Sequence, residues 1–135
     1  MPTGPEKARP KTFQEIASRG GVYPPEAYEF VNRGLAYTVS KLQGGGEEED
    51  RARHVTGQQL CQGLREYAWQ QWGMMATAVL RRWNITCTFD FGRIVYELVD
   101  CGILRTTEGD SVEDFRRVYD FESALESEYR IESKA

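Results

Sequence analysis

Apolar positions recur at helical spacing along most of the chain, and each run is bounded by recognisable start and stop signals. Thr12 and Glu15 form a capping box ahead of Phe13, Ile16 and Ala17, and Gly20 and Gly21 stop that run, which predicts one short helix. Tyr23, Pro24 and Pro25 set an extended approach to a second, longer helix over 25–42, since proline is tolerated in a first helical turn. Within it Tyr28, Val31, Leu35, Val39 and Leu42 fall on one stripe, while Phe30 and Tyr37 lie nearly opposite with Gly34 between them. This helix therefore has two apolar faces.

The third helix has the clearest start signal. Thr56 is placed to cap it, Gln59 completes the box, and Val55 can staple onto Leu60. Leu60, Cys61, Leu64, Tyr67, Ala68 and Trp72 share its core side before Gly73 ends it, and Gln58, Gln62, Arg65 and Trp69 face away. A fourth helix is predicted from Ala76, Val79, Leu80 and Trp83, with Asn84 as a left-handed stop. Phe89, Asp90 and Ile94 repeat the staple-and-cap arrangement for a fifth, with Phe91, Ile94, Val95, Leu98 and Cys101 as its buried face. Gly102, Ile103 and Leu104 suit a Schellman ending.

Two readings stand for the segment 103–121. It can form a hairpin, with Ile103 to Thr107 and Phe115 to Phe121 as strands, which is how a winged-helix module finishes. It can instead hold a short helix capped by Ser111 with Asp114 at the box position. Asp120 then caps a last helix through Leu125 to Tyr129. The expected architecture is a mainly α single domain of five to six helices, with or without a small C-terminal hairpin. Its parts are a flexible tail over 1–11, a helical domain over 12–130 containing a flexible acidic loop over 43–53, and a frayed end over 131–135.

The 135 residues are 40% hydrophobic and 28% charged, a globular rather than disordered balance. No apolar run is long enough to span a bilayer, and the N-terminus lacks the apolar stretch of a signal peptide, so a cytoplasmic protein without a membrane partner is expected. Three unpaired cysteines, Cys61, Cys87 and Cys101, and one histidine, His54, offer neither a disulfide framework nor a four-ligand zinc motif. Gly44 to Gly46 precede acid and suit a linker, not a phosphate loop, and no serine sits in a nucleophile elbow. No cofactor is expected. An enzyme would have to work through carboxylate pairs such as Asp90 with Glu97 or Asp114 with Asp120, residues for which capping is the competing role.

The residues left over are aromatic. Phe30, Tyr37, Trp69 and Tyr96 fall off the main stripes, and arginine outnumbers lysine 13 to 4. Aromatic and arginine side chains dominate interface energies, so the expected function is non-catalytic docking of a protein partner, or of a second copy. The candidate surface is Trp69 with Arg65, joined by Phe30, Tyr37 and Tyr96; the competing reading packs these rings as a second core layer around a sandwiched second helix. The alternative function is nucleic-acid binding by a winged helix, with Arg81, Arg82, Arg116 and Arg117 on phosphates. The charge opposes it: the chain nets −4, and the region of the supposed wing is acidic.

The segments Tyr23-Pro24-Pro25-Glu26-Ala27-Tyr28-Glu29-Phe30-Val31, His54-Val55-Thr56-Gly57-Gln58-Gln59-Leu60, Asp90-Phe91-Gly92, Cys101-Gly102-Ile103-Leu104 and Tyr119-Asp120-Phe121 are together similar to a family of small conserved proteins of planctomycetes and verrucomicrobia. The resemblance spans Phe13 to Leu125. It implies a bacterial cytoplasmic protein and carries no activity or site that could be transferred.

Overall fold

In the computed structural model, which describes residues 12–42, 55–107, 109–121 and 124–125, four helices of eight residues or more build the core. They are α1 (Phe13–Gly20), α2 (Pro25–Leu42), α3 (Gly57–Trp72) and α4 (Thr88–Asp100). Between α3 and α4 lie a 3-10 turn, Gly73–Met75, and a two-turn helical segment, Ala76–Arg82, too short to count with the others. The expected tail over 1–11, the acidic loop over 43–53, His54, most of the last helix expected over 120–129 and the end over 131–135 lie outside the described residues. No described helix is long and apolar enough to cross a membrane.

The local signals act where the sequence places them. Thr12 Oγ1 accepts the Glu15 amide at 3.1 Å, and Gly21, at φ 75°, ends α1. At α3 the box is reciprocal: the Gln59 amide donates to Thr56 Oγ1 and the Thr56 amide to Gln59 Oε1. Asn84 adopts φ 67° as the left-handed stop. The end of α4 is the expected Schellman motif, with the Ile103 amide on the Leu98 carbonyl and the Gly102 amide on that of Val99.

The expected five to six helices number four among the described residues, and three further expectations are corrected. No hairpin forms, and no strand exists among the described residues. The 103–121 segment contains a 3-10 turn, Val112–Phe115, started by Ser111 with Asp114 in the box position. It lies against α4 and α3, where Phe115 is buried and the Thr88 hydroxyl donates to its carbonyl at 2.6 Å. A backbone satisfied in this way by side chains has no need of a ladder partner. Next, α4 begins at Thr88, so Asp90 is not its N-cap. Asp90 sits one turn inside and reaches back to the Thr86 and Cys87 amides at 2.8 and 3.3 Å.

The third correction concerns the buried face of α2, which runs through Ala27, Tyr28, Phe30, Val31, Gly34 and Thr38: Tyr28 and Val31 of the expected stripe are buried, but Leu35 and Val39 are half-buried and Leu42 is exposed. The cause is a close crossing with α3. A Cβ on Gly34 would lie 2.1 Å from Leu64 Cδ2, and one on Gly63 1.8 Å from Thr38 Oγ1, so neither position has room for a side chain. Thr38 fits by turning its hydroxyl onto the Gly34 carbonyl at 2.7 Å, the i−4 bond that a buried helical threonine can make. Helix α2 is thereby central, in contact with α1, α3 and α4.

Tyrosine–carboxylate pairs join the remaining elements. The buried Tyr23 hydroxyl, on the α1–α2 connection, donates to Asp90 Oδ1 at 2.5 Å. Tyr28 donates to Glu97 in the same fashion. Burial, reinforced by the facing carboxylate, raises the pKa of each phenol far above the ordinary tyrosine value.

Candidate functional site

The close α2–α3 crossing determines where the rings go. Phe30, predicted as an exposed docking ring, is 4% exposed and stands at the centre of an aromatic cluster. Its ring centroid is 5.5 Å from Tyr67, 5.2 Å from Trp72, 5.9 Å from Trp83 and 6.4 Å from Phe91. The second-layer reading therefore holds for Phe30, because a face of α2 that looks surplus in isolation is covered once three elements converge on it. Fully burying such a ring contributes roughly 1.5–3 kcal/mol.

Tyr37 is half-buried and committed. Its hydroxyl donates to Glu66 Oε1 at 3.2 Å and accepts from Gln70 at 3.1 Å, and its ring lies 5.5 Å from Tyr67. Lys41 closes this bridge with an ion pair to Glu66 at 2.7 Å, which holds the Glu66 carboxyl below its ordinary range. Trp69 and Arg65 are both half-buried on α3, so the indole expected in an open polar field is partly covered. Tyr96 is half-buried on another side of the molecule, lining a small recess with Leu35, Leu104 and Asp114; burial and the charges of Asp110 and Asp114 raise its pKa. The five predicted residues therefore do not form one surface.

The rings that do form an open concavity fall on the apolar stripes of the sequence. Tyr67 and Trp72 of α3 and Trp83, just after Ala76–Arg82, are half-buried over the Phe30 floor, and the two indoles meet edge to face at 5.5 Å and 80°. They line a groove of about 180 Å³, rimmed by Glu26, Glu29 and Arg33 of α2 and by Gln71. The signal for this was their position. Trp72 is the last residue of α3 and Trp83 immediately follows a short helix, and a large ring at a helix end is covered on one side only. Glu29 is engaged by Arg33 at 2.7 Å, whereas Glu26 has no ion pair or hydrogen bond among the described residues.

The nucleic-acid residues divide differently. Arg81 and Arg82 are exposed in the last turn of Ala76–Arg82. Arg116 is paired with Glu113 at 2.7 Å and stacked 4.3 Å above the Phe89 ring, and Arg117 lies in a loop at φ 56°. The wing that was to carry the last two is not formed.

The candidate catalytic carboxylates are engaged in structural bonds: Asp90 with Tyr23 and two amides, Glu97 with Tyr28, Asp114 with the Ser111 amide. No group of three or more metal-ligating side chains occurs among the described residues. Of the cysteines, Cys61 is fully buried, with its thiol pushed up to about 12 by burial, Cys101 is half-buried and Cys87 exposed. No family model, curated protein or solved structure matches the chain.

Proposed function

We propose that this protein is a non-catalytic docking module that binds a peptide segment of a partner protein in the groove lined by Tyr67, Trp72 and Trp83. The observation that carries the reading is the partly open aromatic cluster. Three large rings are held by a packed floor and are half-accessible, which provides apolar contact area at little further cost in rotamer freedom. Met74 and Met75, each 55% exposed, follow Gly73 just beyond Trp72 and add adaptable apolar side chains at that end of α3. The engagement of Asp90, Glu97 and Asp114 in caps and interhelical bonds also favours binding over catalysis. The proposed docking site is thus the Tyr67, Gln71 and Trp72 side of α3 in place of Trp69 with Arg65.

The three tryptophans provide the test. Random peptides displayed on phage are selected against the full chain, and the selected sequences are titrated into isotope-labelled protein whose indole N–H signals are assigned with single Trp→Phe variants. The expected result is saturable movement of the Trp72 and Trp83 signals with Trp69 unmoved. Peptides that move Trp69 alone, or a selection that yields no binder, would refute the groove as the docking site.

A further inference from the structure

Twice within this fold a guanidinium is held by an aromatic ring and a carboxylate together. Arg116 lies 4.3 Å above the Phe89 ring while its Nε donates to Glu113 at 2.7 Å. Arg93 lies 5.8 Å from the Tyr23 ring centroid and 3.9 Å from Asp90 Oδ1. The arrangement follows from the chemistry: the ring face attracts the delocalised cation, and the carboxylate holds it at the edge of the same plane, by a hydrogen bond from Arg116 and by charge attraction alone at Arg93. The groove repeats this arrangement without its cation. It has the Tyr67, Trp72 and Trp83 rings and the Glu26 carboxylate, which lacks a cationic partner among the described residues, while the rim arginine Arg33 is paired with Glu29.

We propose that the groove takes the arginine side chain of a partner segment, with its guanidinium against the edge-to-face Trp72–Trp83 pair, stacked on one indole face, and its N–H groups on Glu26. The proposal rests on the docking reading and names the anchor of the partner. Arginine is preferred to lysine because a planar, weakly hydrated fork can stack and donate at once, whereas an ammonium is a compact, strongly hydrated charge. Two carboxylates against one guanidinium on the rim make the groove complementary to a cation.

The test uses the full chain and three capped tripeptides, Gly-X-Gly with X as arginine, citrulline or lysine. Citrulline keeps the shape and several donors of arginine and lacks its charge. Binding is read from the Trp72 and Trp83 indole signals. The arginine peptide is expected to bind about tenfold more tightly than the citrulline peptide and measurably more tightly than the lysine peptide. Glu26→Gln, an exposed substitution whose fold is checked by circular dichroism, is expected to remove about two-thirds of the arginine preference.

Equal binding of arginine and citrulline, or of arginine and lysine, overturns the proposal while leaving peptide docking intact. A Glu26→Gln protein that keeps the whole preference overturns it too, as does an arginine peptide that moves neither indole. Movement of these signals with protein concentration alone assigns the groove to a second copy and also overturns it. The docking reading itself fails separately, on the library selection.

Discussion

Gly63→Ala examines the crossing on which both the core and the groove depend. The added Cβ would stand 1.8 Å from Thr38 Oγ1 and 2.8 Å from Thr38 Cβ. Non-bonded carbons settle at about 3.5–4.0 Å, so the helices must part by about 1 Å or Thr38 must leave its rotamer and its bond to the Gly34 carbonyl. Overpacking of this kind costs about 1–3 kcal/mol, and the lost buried hydrogen bond about 1 kcal/mol more. Against this, alanine in a helix interior is favoured over glycine by about 1 kcal/mol. The net expectation is a loss of about 1–3 kcal/mol. Urea slopes for small proteins are about 1–3 kcal/mol/M, so the unfolding midpoint should fall by about 1 M. Thr38→Ala removes the Oγ1 and Cγ2 atoms that the new methyl strikes, so in the double variant the two losses should add to less than their sum, by about 1 kcal/mol. Wild-type or higher stability for Gly63→Ala, as propensity alone would give, would refute the close crossing. Any shift of α3 also displaces Tyr67 from Phe30, so the Trp72 and Trp83 indole signals should move in the same variant.

The remaining predictions concern buried polar groups. Thr77 is buried and its hydroxyl has no partner among the described residues, so Thr77→Val should raise stability by up to about 1 kcal/mol, visible as a higher melting temperature; a fall would reveal a partner for that hydroxyl. Tyr23→Phe strands one oxygen of Asp90 and should cost about 1–3 kcal/mol in chemical denaturation, with no change indicating that the 2.5 Å bond contributes little. The Tyr23 and Tyr28 phenols have raised pKa values in the fold, so their contribution is complete below the ordinary tyrosine pKa of about 10 and is lost as pH rises beyond it. Stability followed across the alkaline range should fall for wild type and fall less for Tyr23→Phe. A thiol reagent at neutral pH should label Cys87 at once and Cys61 only on unfolding, since Cys61 is buried and its thiolate is disfavoured; early labelling of Cys61 would contradict the packing of α3.

The boundaries of this fold were legible because they depend on short-range chemistry. Thr12 with Glu15, Thr56 with Gln59, Asn84, Gly102 and the Ser111–Asp114 box each start or stop a segment through groups within a few residues of themselves. The mainly helical class follows from the same signals together with the apolar spacing. Helix periodicity, in contrast, says which residues share a face and not how that face is covered. Phe30 became core and Trp72 and Trp83 became a groove because Gly34 and Gly63 let α2 and α3 approach closely, and because Ala76–Arg82 brings Trp83 against Phe30. Asp90 likewise became an interhelical acceptor because Tyr23, 67 residues earlier, folds back onto it. Burial is a property of the contacts between elements, set by steric fit across long separations in sequence, and so the location of the exposed rings was decided only by the tertiary structure.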